Sequence, residues 1–283
     1  MGVRLVRTKS EVCERVACAC RDDRTISLVP TMGALHEGHM SLVRQARREC
    51  DFVGVSIFVN PTQFGPSEDY TRYPRTLDSD AEMCREAGAD LIFAPNAQEM
   101  YPDGFDSWVD VGGVTEVLEG ASRPGHFRGV ATVCLKLFNI FRADRAYFGL
   151  KDYQQLQVIA KMVRDLNVPT EIVPVETVRE PDCLAMSSRN RYLSPEERNA
   201  ALVLSGSLID ARSAFESGER SAAAIEALVH ARLASEPLAS VDYAVIVDAS
   251  TLAPIDVVER PAVVLLAVRI GATRLIDNTV LAL

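Results

Sequence analysis

The sequence predicts an α/β protein, with a parallel β-sheet covered by helices and followed by a smaller α+β domain. Two observations predict it. Short apolar runs alternate with helical patterns over about the first two-thirds of the 283 residues, which is typical of units that build parallel sheets. After about residue 180, helical segments come first and strand-like segments follow. We therefore predict a first domain over residues 1–178 and a second over residues 179–283.

The predicted strands of the first domain are short apolar or β-branched runs. In chain order they are TISLVP, FVGVSIFV, ADLIFA, RAYFG and TEIVPVETV. Helical patterns over residues 39–49, 78–87 and 153–166 follow the first, second and fourth strands, and a loop follows the third. The polar residues of most chemical interest follow strands one, two, four and five. Ligands of parallel sheets bind beyond the carboxyl ends of the strands, so we expect these residues to meet there.

The second predicted domain opens with a helix signal. In SPEERNAALVLSGSLIDARSAFESG, Ser194 is the expected N-cap, Pro195 takes the first helical position and Glu197 completes a capping box. A second helix, SAAAIEALVHARLAS, and three strands, VDYAVIVDA, AVVLLAVRI and RLIDNTVL, follow. This domain contains few reactive residues.

The composition indicates a globular protein with a substantial core. Hydrophobic residues make up 48% of the chain and the formal net charge is −9, so neither nucleic acid nor a membrane surface is an expected partner. The N-terminal segment lacks the apolar core of a signal peptide and no segment has the length of a membrane span, which favours the cytoplasm. Seven scattered cysteines suit reduced thiols, and the spacing of Cys18 and Cys20 does not suit zinc.

The segment PTMGALHEGH, residues 30–39, follows the first predicted strand and leads into a helical pattern. Its glycines permit close backbone approach or positive φ, and the N–H groups of the helix start are suited to a phosphate. His36 and His39 could share one helix face and donate to phosphate oxygens. The spacing is one residue short of the H-E-x-x-H motif, which disfavours a metalloprotease. A structural pair of capping or core histidines is the remaining alternative.

Three further segments carry polar groups that suit small substrates or phosphates. In SIFVNPTQFG, Gln63 offers a donor and an acceptor for a hydroxyl or carboxylate, or is an ordinary turn amide. In FGLKDYQQLQ, Lys151 could meet a nucleotide phosphate with Gln155 on the same helix face, or form a surface pair with Asp152. The Ser-Ser-Arg triplet of LAMSSRNRYL could close over a triphosphate, although such triplets are also common in linkers.

Two charged groups are less specific. Arg123, His126 and Arg128 precede an apolar helix and are either anion ligands or a solvated basic turn. Asp78 and Asp80 could help to hold magnesium, but we favour their interaction with the dipole of the helix whose first turn they occupy.

Taken together, five motifs resemble the pantoate-β-alanine ligase family. In order they are PTMGALHEGH, SIFVNPTQFGPSEDYTRYPRTLDSD, RPGHFRGVATV, FGLKDYQQL and REPDCLAMSSRNRYLSPEER. They cover residues 25–200 densely and the remainder loosely. The resemblance implies a nucleotidyltransferase with a Rossmann-like first domain, in which HEGH corresponds to the HIGH motif and MSSR to the KMSKS loop.

The resemblance also implies a reaction. The enzyme is expected to form pantoyl adenylate and pyrophosphate from ATP and (R)-pantoate, after which the amine of β-alanine attacks the adenylate to give pantothenate and AMP. This step serves pantothenate (vitamin B5) and coenzyme A biosynthesis. Mg²⁺ would accompany the triphosphate, and the chain would form a homodimer. The interpretation of residues 186–189 as a mobile clamp further predicts that the C-terminal domain acts as a lid over ATP.

The family's functional residues map onto this sequence position by position. The resemblance assigns the ATP site to Met32, Gly33, Ala34, Leu35, His36, Glu37, Gly38, His39, Gly149, Leu150, Lys151, Asp152, Val178, Met186, Ser187, Ser188 and Arg189. It assigns pantoate to Gln63 and Gln155, and β-alanine also to Gln63. The residues expected to stabilise the developing negative charge are His36, His39, Lys151, Ser187, Ser188 and Arg189. His39 is the proton donor of the family, no covalent nucleophile is required, and the metal ligands stay unassigned.

Two positions depart from the family pattern. Cys183 stands where a glycine is expected in REPDG, and Leu150 replaces a common polar residue. If position 183 requires positive φ, a cysteine is strained there, whereas Leu150 is expected to contribute its backbone only. Two other functions remain as alternatives: another HxGH nucleotidyltransferase, which the VNPTQFG and KDYQQ motifs disfavour, and a non-enzymatic ATP-binding module.

Overall fold

The computed structural model describes residues 2–66 and 68–282, which divide into two compact units. The first unit comprises the chain up to Leu150 together with Gln154–Glu176, and the second comprises Lys151–Tyr153 and the chain from Thr177 onward. The short segment Lys151–Tyr153 thus belongs to the second unit, although the predicted boundary lies after residue 178.

The first unit is built on a six-stranded sheet. Its strands are β1 (Arg4–Val6), β2 (Ile26–Thr31), β3 (Phe52–Ile57), β4 (Leu91–Phe93), β5 (Arg145–Gly149) and β6 (Glu171–Val175). They are ordered β1-β4-β3-β2-β5-β6, and every neighbouring pair is parallel. The predicted parallel sheet is therefore confirmed, and its central strands are buried as continuous apolar runs, as parallel sheets require.

Seven α-helices lie among the described residues of this part of the chain, 2–66 and 68–176. They are α1 (Lys9–Arg21), α2 (Glu37–Glu49), α3 (Leu77–Glu86), α4 (Ala97–Met100), α5 (Glu119–Ser122), α6 (His126–Phe141) and α7 (Tyr153–Asp165). Short 3₁₀ turns cover Pro61–Gln63 and Leu150–Asp152. Helix α2 shows how they pack: Met40, Val43 and Ala46 share one face and are buried in a core cluster with Val29 and Val55 of β2 and β3.

The second unit combines helices with a three-stranded antiparallel sheet. Its elements are a 3₁₀ turn (Ser188–Tyr192), α8 (Pro195–Ala200), α9 (Leu202–Glu216), α10 (Ala222–Ala234), β7 (Ala239–Asp248), β8 (Ala262–Ile270) and β9 (Thr273–Leu281). The strands lie in the order β7-β8-β9. One core cluster joins Leu204 and Leu208 of α9, Val229 of α10 and Val264 of β8. The prediction of a smaller α+β region after the parallel sheet is confirmed.

Local signals explain where several elements begin and where the predictions failed. Ser194 and Glu197 form the predicted capping box, but the single helix predicted from there is two helices separated at Ala201. The dihedrals of Ala201 stay helical (φ −60°, ψ −20°), so the break is slight. The sequence pattern contains no sign of it. Strand β1 and helix α1 were not predicted, although Thr8 and Glu11 also form a capping box that marks the start of α1.

No helix among residues 2–66 and 68–282 is both long and apolar enough to cross a membrane.

Candidate active site at the switch point of the sheet

The sheet reverses its strand order between β2 and β5. From β2 the chain builds outward through β3 to β4 on one side, and β5 and β6 extend the other side. The crevice beyond the carboxyl ends of two such strands is the preferred ligand site of open α/β sheets. Thr31 ends β2 directly before Met32–His39, and Gly149 ends β5. The topology therefore places two predicted ATP segments at the switch point.

A strained turn follows β2. Gly33 and Ala34 both have positive φ, +85° and +52°, and Ala34 is fully buried. The carboxylate of Asp80, in the first turn of α3, accepts hydrogen bonds from the backbone N–H of Ala34 (3.0 Å) and of Leu35 (2.9 Å). Thr76 donates its hydroxyl to the same carboxylate at 3.1 Å. Asp80 thus stabilises the turn, a contact that the helix-dipole interpretation of this residue missed; Asp78 is exposed.

His36 and His39 lie together at the start of α2. The N-cap is His36, whose Nδ1 accepts from the N–H of Gly38 at 3.1 Å, and Nδ1 of His39 accepts from the N–H of His36 at 3.4 Å. The ring centroids are 4.1 Å apart. Because Nδ1 is the acceptor in both rings, the neutral tautomer carries its proton on Nε2. The hydrogen bonds of the capping alternative are therefore present, and the N–H donor of each neutral ring is Nε2.

Gln63 ends a 3₁₀ turn just after β3. It is buried, and its Oε1 accepts from Asn60 Nδ2 at 3.0 Å while its Nε2 lies 3.2 Å from the sulfur of Met32. Asn60 is also buried and accepts from the hydroxyl of Tyr101 at 2.8 Å. The structure thereby brings the predicted pantoate residue Gln63 next to the predicted ATP residue Met32.

Helix α6 approaches this turn closely because residue 129 has no side chain. A Cβ at Gly129 would lie 2.4 Å from the carbonyl oxygen of Thr62 and 2.7 Å from the backbone nitrogen of Gln63. Asn60 Nδ2 also donates to the Gly129 carbonyl at 3.2 Å. The start of α6 therefore supports the Gln63 turn directly.

His126 holds the backbone of Gln63. Its Nδ1 lies 2.8 Å from the Gln63 carbonyl oxygen and its Nε2 lies 3.1 Å from Nη1 of Arg123. A guanidinium only donates, so Nε2 accepts and Nδ1–H donates to the carbonyl. Burial, with the nearby Arg123 cation, lowers the pKa of His126 to about 4. The ring is consequently neutral at pH 7.

Of the two arginines near His126, Arg123 is not solvated, whereas Arg128 is exposed. Arg123 forms a bidentate pair with Glu68 at 2.7 and 2.6 Å, with each side chain about one-fifth exposed. Burial opposes the charged form of Glu68, but hydrogen bonds from Arg123 outweigh it and lower the pKa of that carboxyl. Arg128 instead lies over the ring of Trp108 at 5.0 Å and pairs with Asp110 at 3.4 Å. Of the three basic residues, Arg123 and His126 therefore take part in the Gln63 network.

Helix α7 carries the second predicted pantoate residue. Gln155 is partly buried in its first turn. Its neighbour Gln154 is buried and binds the 114–119 loop, donating to the carbonyls of Val114 and Val117 at 2.8 Å and accepting from the N–H of Glu119 at 3.0 Å. The start of α7 is therefore fixed by Gln154, a residue that the sequence analysis did not single out.

In the second unit, a hairpin brings two predicted ATP residues together. The N–H of Met186 donates to the carbonyl of Val178 at 3.0 Å, and Glu180 and Leu184 are paired closer to the turn. At that turn Cys183 has φ +73°. The strain expected for a cysteine at this glycine position is thus present.

The Ser-Ser-Arg segment leaves this hairpin directly. The Oγ of Ser187 accepts from the N–H of Arg189 at 3.2 Å and caps the 3₁₀ turn that begins at Ser188. Lys151 lies in another turn of the same unit, with its Nζ 3.7 Å from the carboxylate of Asp152. The Lys151–Asp152 surface pair foreseen as the alternative is therefore present, although at the long end of the ion-pair range.

The chain matches one family model over nearly its full length. The model is described as pantoate-beta-alanine ligase, and it matches residues 4–280. Proteins named pantothenate synthetase are close relatives. The one from Heliobacterium modesticaldum is 54% identical over 98% of this chain and 99% of its own, and that of Geobacter sulfurreducens is 56% identical over 93% of each.

Solved structures agree with the sequence matches. A crystal structure of pantothenate synthetase from Thermus thermophilus superposes with a TM-score of 0.93 at 48% identity, covering 98% of this chain and 99% of the other. Pantoate-beta-alanine ligase from Francisella tularensis, described as complexed with beta-gamma ATP and beta-alanine, has a TM-score of 0.80 at 33% identity over 98% and 97% of the two chains. From the switch-point site and these full-length matches, the chain belongs to the pantoate-β-alanine ligase family.

Proposed function

We propose that this chain catalyses the ATP-dependent condensation of (R)-pantoate with β-alanine through a pantoyl adenylate, releasing pyrophosphate and AMP. The observation that carries the proposal is the pair of imidazoles at the β2–β5 switch point, each with Nδ1 occupied by a backbone N–H and Nε2–H as its donor. Family membership over residues 4–280 supports the same reaction. The product places the enzyme in pantothenate and coenzyme A biosynthesis.

In the first step a pantoate carboxylate oxygen bonds to the α-phosphorus of ATP, and the bond from that phosphorus to the bridging oxygen of pyrophosphate breaks. Negative charge grows on the non-bridging and leaving oxygens. We assign its stabilisation to His36, His39, Lys151, Ser187, Ser188 and Arg189. Positioned donors are well suited to this transition state because phosphoryl-type transfer needs orientation and electrostatics rather than a covalent nucleophile.

The remaining assigned ATP contacts are mainly backbone or apolar contacts from the turns described above. They are Met32, Gly33, Ala34, Leu35, Glu37, Gly38, Gly149, Leu150, Asp152, Val178 and Met186. The strained turn at Gly33–Ala34 and the hairpin pairing of Val178 with Met186 support this assignment. At both places the backbone groups are held in fixed positions.

In the second step the neutral amine of β-alanine attacks the acyl carbon of the adenylate, AMP leaves with the bonding electrons, and the nitrogen releases one proton to solvent as the amide forms. We assign Gln63 and Gln155 to pantoate, and Gln63 also to β-alanine. The fixed position of Gln63 supports its assignment, because Asn60 holds its side chain and His126 holds its backbone carbonyl. Holding amine and acyl carbon in contact, with water excluded, supplies most of the rate advantage for such a step.

Mg²⁺ accompanying the triphosphate belongs to the same proposal. Among the described residues, 2–66 and 68–282, no group of three or more His, Cys, Asp or Glu side chains is arranged to hold a metal. An Mg²⁺ ion at a nucleotide commonly keeps several waters and is bound through phosphate oxygens, where it neutralises phosphate charge. Of the acidic residues in the proposed ATP site, Glu37 is paired with Arg44 and Asp152 lies beside Lys151. The proposal therefore assigns the ion to the phosphates and names no protein ligand for it.

The direct test is pyrophosphate release by the purified protein. Release that requires pantoate, followed by pantothenate formation when β-alanine is added, is expected. Release without pantoate would favour another nucleotidyltransferase, and ATP binding without any release would favour a non-enzymatic module.

His39→Ala and Lys151→Ala are each expected to reduce adenylation about a hundredfold while folding normally. The matched controls are His230→Ala, at an exposed histidine, and Lys161→Ala, whose lysine pairs with Asp165.

Of three further assignments, the homodimer rests on the family resemblance and the lid on the interpretation of residues 186–189 as a mobile clamp. We propose that residues 179–283 act as a lid over ATP, that the chain forms a homodimer and that it works in the cytoplasm. Protease cleavage within residues 179–190 is expected to slow on addition of ATP and pantoate, and unchanged cleavage would contradict the lid. Sedimentation at the mass of two chains of 31.0 kDa would test the dimer, and fractionation of the source cells the location.

A further inference from the structure

Two adjacent residues of β9, Asp277 and Asn278, contact two segments that carry proposed ATP ligands. We refer to them as the β9 pair. Both are buried, with 2% and 6% of their surface exposed. Successive side chains of a strand point to opposite faces of the sheet, so neighbouring residues here reach different parts of the second unit.

Asp277 holds the hairpin from which the Ser-Ser-Arg segment begins. Nη1 and Nη2 of Arg179 donate to the two carboxylate oxygens of Asp277 at 2.7 and 2.9 Å, in the bidentate geometry of strong charge-assisted pairs. The same Nη1 donates to the carbonyl of Cys183 at 3.1 Å. Arg179 therefore joins the turn of the hairpin to β9, one residue after the Val178–Met186 pair.

Asn278 holds the segment that contains Lys151. Its Nδ2 donates to the carbonyl oxygen of Lys151 at 2.9 Å. Its backbone N–H donates to Oδ1 of Asp277 at 2.8 Å, which fixes the Asp277 carboxylate relative to the main chain of Asn278. The hydroxyl of Tyr153 adds a contact to the carbonyl of Ala249 at 2.9 Å. These contacts fix the main chain around Lys151 within the second unit.

Stability alone is a weak reason for such an arrangement. A buried ion pair commonly contributes no more to folding than an apolar pair of similar volume, because both charges lose their hydration. What an apolar pair would not supply is a defined distance between two polar backbone segments. The value of the β9 pair is therefore geometric.

We propose that the β9 pair positions Lys151 and the start of the Ser-Ser-Arg segment relative to each other, so that both present positive charge to one triphosphate. Asp277 and Asn278 are positioning residues: they act through Arg179 and the Lys151 carbonyl. The inference rests on the proposed ATP-dependent reaction. It assigns a role in that reaction to β9, a strand of the region that was predicted to contain few reactive residues.

The test compares Asn278→Ala and Asp277→Asn with the wild-type enzyme in pantoate-dependent pyrophosphate release. We expect kcat/KM for ATP to fall between about tenfold and a hundredfold, the range of a catalytic group displaced by about an ångström. The KM for pantoate is expected to stay within about twofold of wild type, since its proposed ligands Gln63 and Gln155 belong to the first unit. Arg179→Lys, at a partly exposed position, keeps the charge but loses the bidentate contact and is expected to give an intermediate loss.

Asp242→Asn is the matched control. Asp242 pairs with Arg269 and Arg274 on the same antiparallel sheet rather than with either of the two segments. Thermal unfolding of every variant gives the folded fraction, and activities are compared per folded molecule. If the β9 variants keep wild-type kinetics, raise both KM values equally, or resemble Asp242→Asn, the inference is wrong. If a β9 variant does not fold, the kinetics of Arg179→Lys are compared with those of wild type and Asp242→Asn in the same way. Failure of the wild-type enzyme to release pyrophosphate would instead reject the proposed function.

Discussion

Asp80 shows how one buried side chain can determine the conformation of a functional turn. The backbone N–H groups of Ala34 and Leu35 point to its carboxylate, and a left-handed alanine is held in place beside Gly33. Left-handed backbone costs a non-glycine residue about 1–2 kcal/mol. Two hydrogen bonds to a charged acceptor, each worth about 1.5–3 kcal/mol, are enough to offset that cost.

We therefore expect Asp80→Asn to disturb the turn before His36. The amide offers one acceptor and one donor where two N–H groups need acceptors, so one buried N–H loses its partner at a cost of about 1–3 kcal/mol. Urea unfolding should show that loss, and adenylation should fall about 10- to 100-fold through the displaced imidazoles. Asp78→Asn, at the exposed position two residues earlier, should change stability by less than about 0.5 kcal/mol. Equal effects of the two changes would contradict the assignment.

Cys183 permits a stabilising substitution. Its φ of +73° is in the left-handed region, where glycine has no Cβ penalty, and its thiol is exposed. Cys183→Gly removes about 1–2 kcal/mol of strain but adds about 0.4–1 kcal/mol of unfolded-state entropy. The net expectation is a free energy of unfolding that rises by about 0–1.6 kcal/mol in denaturant titrations. A decrease would show that the cysteine side chain contributes packing that outweighs the strain.

At the scale of elements, the contact between α6 and the Gln63 turn depends on Gly129. Alanine there would press on the Thr62 carbonyl and the Gln63 nitrogen, both of them backbone atoms that cannot rotate away. Gly129→Ala should cost about 1–3 kcal/mol of stability and raise the KM for pantoate. Gly206→Ala in α9 is the control, since its Cβ would meet only the guanidinium end of Arg232 and helix propensity favours alanine. A neutral Gly129→Ala would show that α6 can shift without cost.

The elements that the sequence predicted are those with local signals. Apolar runs located β2, β3, β4 and β5, and the Ser194 capping box located α8. Contacts between residues far apart in the sequence were not predicted. The partners of Asp80 lie 45 and 46 residues away, and those of Asp277 and Asn278 lie 98 and 127 residues away. Neither hydrophobic periodicity nor a helix-capping signal indicates such pairings.

For the whole molecule, the division into units separates the proposed ATP ligands into two sets. His36, His39 and Gly149 belong to the first unit, whereas Lys151 and the Ser-Ser-Arg segment belong to the second. The chain crosses from one unit to the other directly after β5, at the switch point of the sheet. The proposed function therefore assigns ATP ligands from both units.

Protonation of His126 is expected to make the stability of the whole molecule depend on pH. Its pKa falls from 6.5 to about 4 on folding, so between these values the unfolded chain binds more protons than the folded protein. The free energy of unfolding therefore decreases as pH is lowered through this window, and is unaffected by this group above it. From pH 7 to pH 5 the loss should be about 2 kcal/mol, at 1.36 kcal/mol per pKa unit.

Denaturant titrations at both pH values test this, with His126→Gln as the variant that cannot titrate. Its amide can still donate to the Gln63 carbonyl and accept from Arg123, so it should fold but lose the pH-dependent component. Glu68 pairs with Arg123 in the same network and its pKa is lowered, so its contribution is lost only below its unfolded value of 4.5, outside the measured interval. His230→Gln, at an exposed position of α10, should retain the wild-type slope. If His126→Gln loses as much stability as wild type between pH 7 and pH 5, the buried neutral imidazole is not the group responsible, and the proposed support of Gln63 by a neutral His126 is wrong.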